Sequence, residues 1–234
     1  MKVTFFGTAV TMSACLMFGP SPSAAGLGGQ QRETEQIDRS FPFGPGGELN
    51  LKTFSGRVTI TASNRANVVV HAVRRATADR LAGIHLDIQA NPTRITIDAN
   101  KKDESWGDRN DNVVETDFDI EVPEQTALDI HGFSSNIHVT GVHGHQKLHV
   151  FSGSIDLRDV SAPVEAETFS GDIGIELAPG AGGHLDINTF SGTLTSDAPL
   201  VTRTGGRRHM SGDIGSGGTT AFTLKTFSGD VHIK

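Results

Sequence analysis

The chain has 234 residues and a formal net charge of −7, from 20 basic and 27 acidic side chains, enough for one well-buried domain or two small ones. Duplex nucleic acid calls for a basic face, so this balance argues against it as a partner. With 28 glycines, no tyrosine and few helix-forming runs, the composition suits many short strands joined by tight turns.

The first segment has the grammar of an export signal. Lys2 supplies a positive start, residues 3–18 are apolar and almost free of charge, and Pro20 and Pro22 end the run. Ser23-Ala24-Ala25 then offers the small residues of a cleavage site. The apolar run falls short of the ~20 residues that span a bilayer. Residues 1–25 are therefore expected to be a signal peptide, with the mature protein periplasmic or at the cell surface. An alternative is a membrane-anchored lipoprotein, because Met12-Ser13-Ala14-Cys15 resembles a lipobox that would lipidate Cys15. Cys15 is the sole cysteine, so the mature fold must hold without a disulfide. Residues 26–48 read as a flexible lead-in.

Residues 49–122 read as the irregular first part of a single domain. Segments 67–75, 84–90, 93–99 and 113–122 alternate apolar with polar and predict strands. Residues 101–112 read as a polar loop. Its Asp103, Glu104, Asp108 and Asp111 lack the order of a calcium-binding EF-hand loop, so a solvated surface is expected. The 79 residues from Phe54 to Phe133 equal about four coils of the repeat described next.

Seven copies of one short unit organise the rest. They are centred on Phe54, Phe133, Phe151, Phe169, Phe190, Met210 and Phe227, mostly as Thr-Phe-Ser-Gly, and from Phe133 their spacings are 18, 18, 21, 20 and 17 residues. Three positions before each anchor stand Leu51, Ile130, Leu148, Ala166, Ile187, Arg207 and Leu224. Four positions after it stand Val58, Ile137, Ile155, Ile173, Leu194, Ile214 and Val231. Polar residues or glycine lie between, so the pattern is strand, Ser-Gly bend, strand. Successive coils stacked ~4.8 Å apart would turn the aliphatic columns into shared interior ladders. The expected fold is all-β: a single-domain parallel β-solenoid of 17–21-residue coils, regular over 123–234 and right-handed by the usual crossover rule. Serine hydroxyls are expected to bond the freed backbone of the bends. The chain ends on Val231-His232-Ile233-Lys234, which predicts an uncapped strand edge open to self-association.

These residues resemble a known family. The recurring apolar-x-Thr-x-Ser-Gly-Asp-Ile pattern after Val122-Pro123 is similar to the bacterial putative-adhesin domain of unknown function, over 49–234 and most closely from 122 onward. The resemblance implies a β-solenoid on an exported or membrane-tethered envelope protein, without established catalysis. It supplies no catalytic residues.

Two columns are candidate sites. Parity turns Phe133, Phe151, Phe169, Phe190 and Phe227 outward, as an aromatic stripe for a macromolecule, a glycan or a second copy. Such a row is rare on a soluble monomer, so a buried ladder is the expectation and the outward stripe the alternative. His131 and His149, with Glu167 next in the same column, are candidate zinc or copper ligands. They lack tight ligand spacing, and solvated strand histidines are common. No cofactor is expected. No Gly-x-Ser-x-Gly elbow or Gly-x-x-x-x-Gly-Lys loop occurs, and Asp156 and Asp172 have no ordered catalytic third residue. The functional expectation is a non-catalytic envelope module for binding, adhesion or structure; the alternative is a polysaccharide lyase or hydrolase of β-helix type.

Overall fold

Alternating apolar and polar residues turn most of the described chain into strand. The computed structural model describes residues 32–106, 113–198, 200–206, 208–215 and 217–234, which fall in the compact unit Gln31–Lys234. The expected signal segment 1–25, with Cys15, lies outside the described residues, as do Asp108, Asp111 and Arg207.

The lead-in is corrected. Strand β1 (Arg32–Pro42) and strand β3 (Asn67–Thr77) pair antiparallel along their full length, after β2 (Glu48–Ser63) has started the core. Only Ile37 and Phe41 of β1 are apolar residues packed on the core, so β1 lacks the alternation that marks its neighbours. Polar contacts hold it instead: Arg74 with Glu35, His71 with Asp38 at 2.6 Å, and Arg32 with Glu115 at 2.7 Å. A charged strand at a sheet edge is a common defence against edge pairing.

The four strands expected in the irregular part are present, though not as coils. After the short helix α1 (Ala78–Gly83) come β4 (Ile84–Asn91), β5 (Arg94–Lys102) and β6 (Glu115–Pro123). Strands β4 and β5 form an antiparallel hairpin, and β3 pairs antiparallel with β6. Strands β5 and β6 then lie parallel to the two halves of β2. The excursion from Phe54 is thus a mixed cap, and Phe133 returns to the adjacent layer, its ring 4.7 Å from that of Phe54. The polar loop is corrected in part: Trp106 is buried with Ala76, Ile84 and Val114 in a satellite cluster.

From there each bend joins two strands: β7 (Ala127–Thr140) passes through one unbroken, then β8 (Gln146–Ser152) leads to β9 (Ile155–Val160) and β10 (Val164–Ser170) to β11 (Ile173–Leu177). Next come β12 (Gly183–Ser191), β13 (Leu194–Ser196), β14 (Leu200–Gly205), β15 (His209–Ile214), β16 (Ala221–Ser228) and β17 (Val231–Ile233). Before the bends the parallel order is β2, β7, β8, β10, β16, β12; after them it is β2, β7, β9, β11, β17, β13. Ile137 opposes Ile155, Ile155 opposes Ile173, and Ile173 opposes Val231. The aliphatic columns line a shared interior; all but Leu194 among their described members are buried.

Three expectations change. The sheet is mixed, because β15 runs antiparallel to both β12 and β14, so an all-parallel solenoid does not describe it. Met210 is not an anchor like the others: it opposes Ile187 across an antiparallel pair and is buried. The last strand leaves no open edge, since β16 is paired on both sides by β10 and β12, and β17 by β11 and β13. Among the described residues no helix is long and apolar enough to cross a membrane.

Candidate functional site

Four of the six phenylalanine bends, at Phe54, Phe169, Phe190 and Phe227, are built from a threonine that points in, a phenylalanine that points out, and a glycine that lets two backbones touch. At Gly171, φ is +151°, and a Cβ there would sit 2.1 Å from the Gly153 carbonyl oxygen of the next layer. No larger residue fits that approach. The threonine hydroxyls complete the bend: Thr168 donates to the Gly153 carbonyl at 3.1 Å and Thr226 to that of Gly171 at 3.1 Å. The serines expected in this role stand at or near the surface, except Ser135, which is buried.

The phenylalanines are a correction to the buried ladder. Phe54, Phe133, Phe151, Phe169, Phe227 and Phe190, in that spatial order, are 36–55% exposed. Adjacent centroids lie 4.7–5.1 Å apart with interplanar angles of 1–22°. The rings therefore cover one another's faces and turn their edges to solvent. Strand parity set their direction, and mutual stacking removes part of the exposure that made an outward row look costly. Arg208 caps the end, its guanidinium carbon 5.0 Å from the Phe190 centroid.

Two residues before the anchors runs a second outward column: Lys52, His131, His149, Glu167, Lys225 and Asn188. His131 and His149 stack at 5.2 Å with 16° between their planes. Lys225 donates to Glu167 at 2.7 Å, and His149 lies 3.5 Å from the same carboxylate. The Lys225 hydrogen bond, against burial, holds the Glu167 carboxyl below its ordinary value; Glu167 in turn raises Lys225. Between the two columns runs an open groove of about 1010 Å³, floored by Thr53, Gly132, Val150, Thr168, Thr189 and Thr226.

The three residues of the metal expectation do not converge on one point. His131 is 3.0 Å from Asp129, Glu167 is engaged by Lys225, and the two imidazoles stack face to face instead of converging on a point. Among the described residues no group of three or more such side chains could hold a metal ion. The carboxylates weighed for catalysis are engaged elsewhere. Asp172 accepts the Asp230 backbone N–H at 2.8 Å, and Asp156 pairs with Arg158 at 3.2 Å. The sequence leaves Asp172, Asp213 and Asp230 either solvated or bonded to turn amides, and the structure shows a ladder of amide caps in which Asp230 likewise accepts the Thr193 N–H at 2.7 Å and Asn136 that of Ser154 at 3.0 Å. The recurring Asp or Asn three residues after the anchor was its signal.

Comparison with known proteins gives a family match and one solved structure that shares the fold. The sequence model of the family described as Toastrack DUF4097 matches residues 112–234. A crystal structure of a putative cell adhesion protein from Clostridium sporogenes superposes with a TM-score of 0.62 at 12% identity, covering 86% of this chain and 99% of that one. A putative adhesin from Bacteroides fragilis, at 11% identity, covers 86% of this chain and 97% of its own with a TM-score of 0.24. No curated protein matches the chain.

Proposed function

The chain belongs to the Toastrack DUF4097 family, and on that footing we propose that it is a non-catalytic binding or adhesion module whose working surface is the outward aromatic ladder. One observation carries the reading: six phenylalanine rings in register, each at least about a third exposed, beside a single long groove. Large apolar stripes rimmed by polar residues mark interaction sites, and pockets of this size hold ligands. The commitment of Asp156 and Asp172 to structural contacts supports a non-catalytic role. The parallel middle of the sheet reads as a short solenoid closed at its ends by antiparallel strands. Residues 1–25 read as an export signal, so the module would face an envelope component outside the cytoplasm.

The test is retention of isolated bacterial envelopes by immobilised protein, with the double variant Phe151→Ser/Phe169→Ser as comparison. Retention that drops with the variant while its circular dichroism stays unchanged supports the reading. Equal retention by both proteins contradicts it. Release of new reducing or unsaturated ends from envelope polysaccharide would favour an enzyme instead.

A further inference from the structure

Building on the binding reading, we infer that the groove between the phenylalanine and histidine columns takes a single long-chain alkyl carboxylate, a fatty acid lying along the ladder. The dimensions narrow the occupant first. The two walls stem from side chains two residues apart on each strand, about 6.6 Å at the usual rise. An α-helix, about 10–12 Å across with its side chains, does not enter a channel of that width. In length the groove follows five ring-to-ring steps of 4.7–5.1 Å. It is therefore long and narrow, a shape that an extended alkyl chain can follow.

Chemistry narrows it further. A sugar binds an aromatic residue by laying its C–H face on the ring face, where the negative quadrupole lies. Here both faces of the four inner rings are covered by neighbouring rings, which leaves their positive edges to the groove. An extended peptide presents backbone donors and acceptors to both sides, and neither the phenylalanine wall nor the floor is built to satisfy them. The floor is Gly132, Val150 and threonines, and the hydroxyls of Thr168, Thr189 and Thr226 are bonded to glycine carbonyls. An alkyl chain asks for no hydrogen bonds and gains from leaving water.

Charge supplies the head group. Lys52, Lys225 and Arg208 line the groove against the one carboxylate of Glu167, on a chain whose formal net charge is −7. Lys225 is the cation that Glu167 engages. The other two belong to opposite ends, Lys52 on the strand of Phe54 and Arg208 over Phe190. Each end of the groove therefore offers a cation with which a carboxylate head group can pair.

The experiment is calorimetric titration of the full folded chain with palmitate below its critical micelle concentration, with hexadecanol and phosphatidylglycerol vesicles as separate arms. Palmitate should bind saturably. Phe151→Ser/Phe169→Ser should weaken it about tenfold or more, as loss of central aromatic anchors does. Lys52→Glu/Arg208→Glu should weaken palmitate by about tenfold through charge alone and leave hexadecanol unchanged. No saturable palmitate binding, binding indifferent to both double variants, or binding to vesicles alone would overturn the inference. Should palmitate fail while envelope retention still depends on the ladder, the fatty-acid inference falls and the binding module stands. Ladder-independent retention removes the binding reading itself.

Discussion

At the scale of single residues, the Thr-Phe-Ser-Gly unit divides its labour by direction. Threonine and glycine face the neighbouring backbone, phenylalanine faces water, and serine contributes little. Replacing Gly171 with Ala should cost at least about 1–3 kcal/mol, because the new methyl would overlap the Gly153 carbonyl oxygen. Ser170→Ala, one position earlier and exposed, should stay within about 0.5 kcal/mol. Denaturant unfolding of the two variants checks the contrast; similar losses would mean the glycine contact is not tight. Glu167 gives a pH signature. Its carboxyl lies below the ordinary 4.5 chiefly through the Lys225 hydrogen bond. The stability it adds is therefore present above that value and is lost as pH falls through the lowered folded one. Glu167→Gln should be less stable than the parent at neutral pH and match it at acid pH. A gap that is constant with pH would contradict the assignment.

At the scale of elements, the strands were legible and their neighbours were not. Period-two alternation located β3, β4, β5 and β6 within a few residues, because burial on one face leaves that mark whatever a strand pairs with. Strand β1 left no such mark; its contacts are charges, and charged segments read as loops. Direction was equally hidden. Met210-Ser211-Gly212 carries the letters of the repeat, yet β15 runs antiparallel, and alternation is the same read either way. The insertion of β16 and β17 between β10–β11 and β12–β13 was hidden for a related reason: each of these copies presents an aliphatic residue at the same columns, so any two can be neighbours. The strand at the end of the chain thus becomes an interior one. Leu224, fully buried on β16, should cost about 2–5 kcal/mol when cut to Ala. Amides of β16 should exchange with deuterium as slowly as those of β10. Fast exchange there would mean β16 is a frayed edge.

At the scale of the whole molecule, two sets of ladders share the same bends and do opposite work. The aliphatic ladders close the interior and hold the layers together. The aromatic ladder, carried by the same strands in the same register, stands outside. The interior was readable from column chemistry alone. The aromatic side was readable from parity, but the general rarity of exposed aromatic rows pointed the other way, and ring-on-ring stacking is the physical reason that rule fails here. The central claim is that these rings are a display surface and not part of the core. It is tested most directly by the unfolding free energy of Phe169→Ala set beside that of Ile173→Ala. A half-exposed ring stacked between two neighbours should cost about 1–2 kcal/mol, against about 2–5 kcal/mol for the buried isoleucine. A loss of about 3–5 kcal/mol for Phe169→Ala, the range for a fully buried ring, would contradict the account.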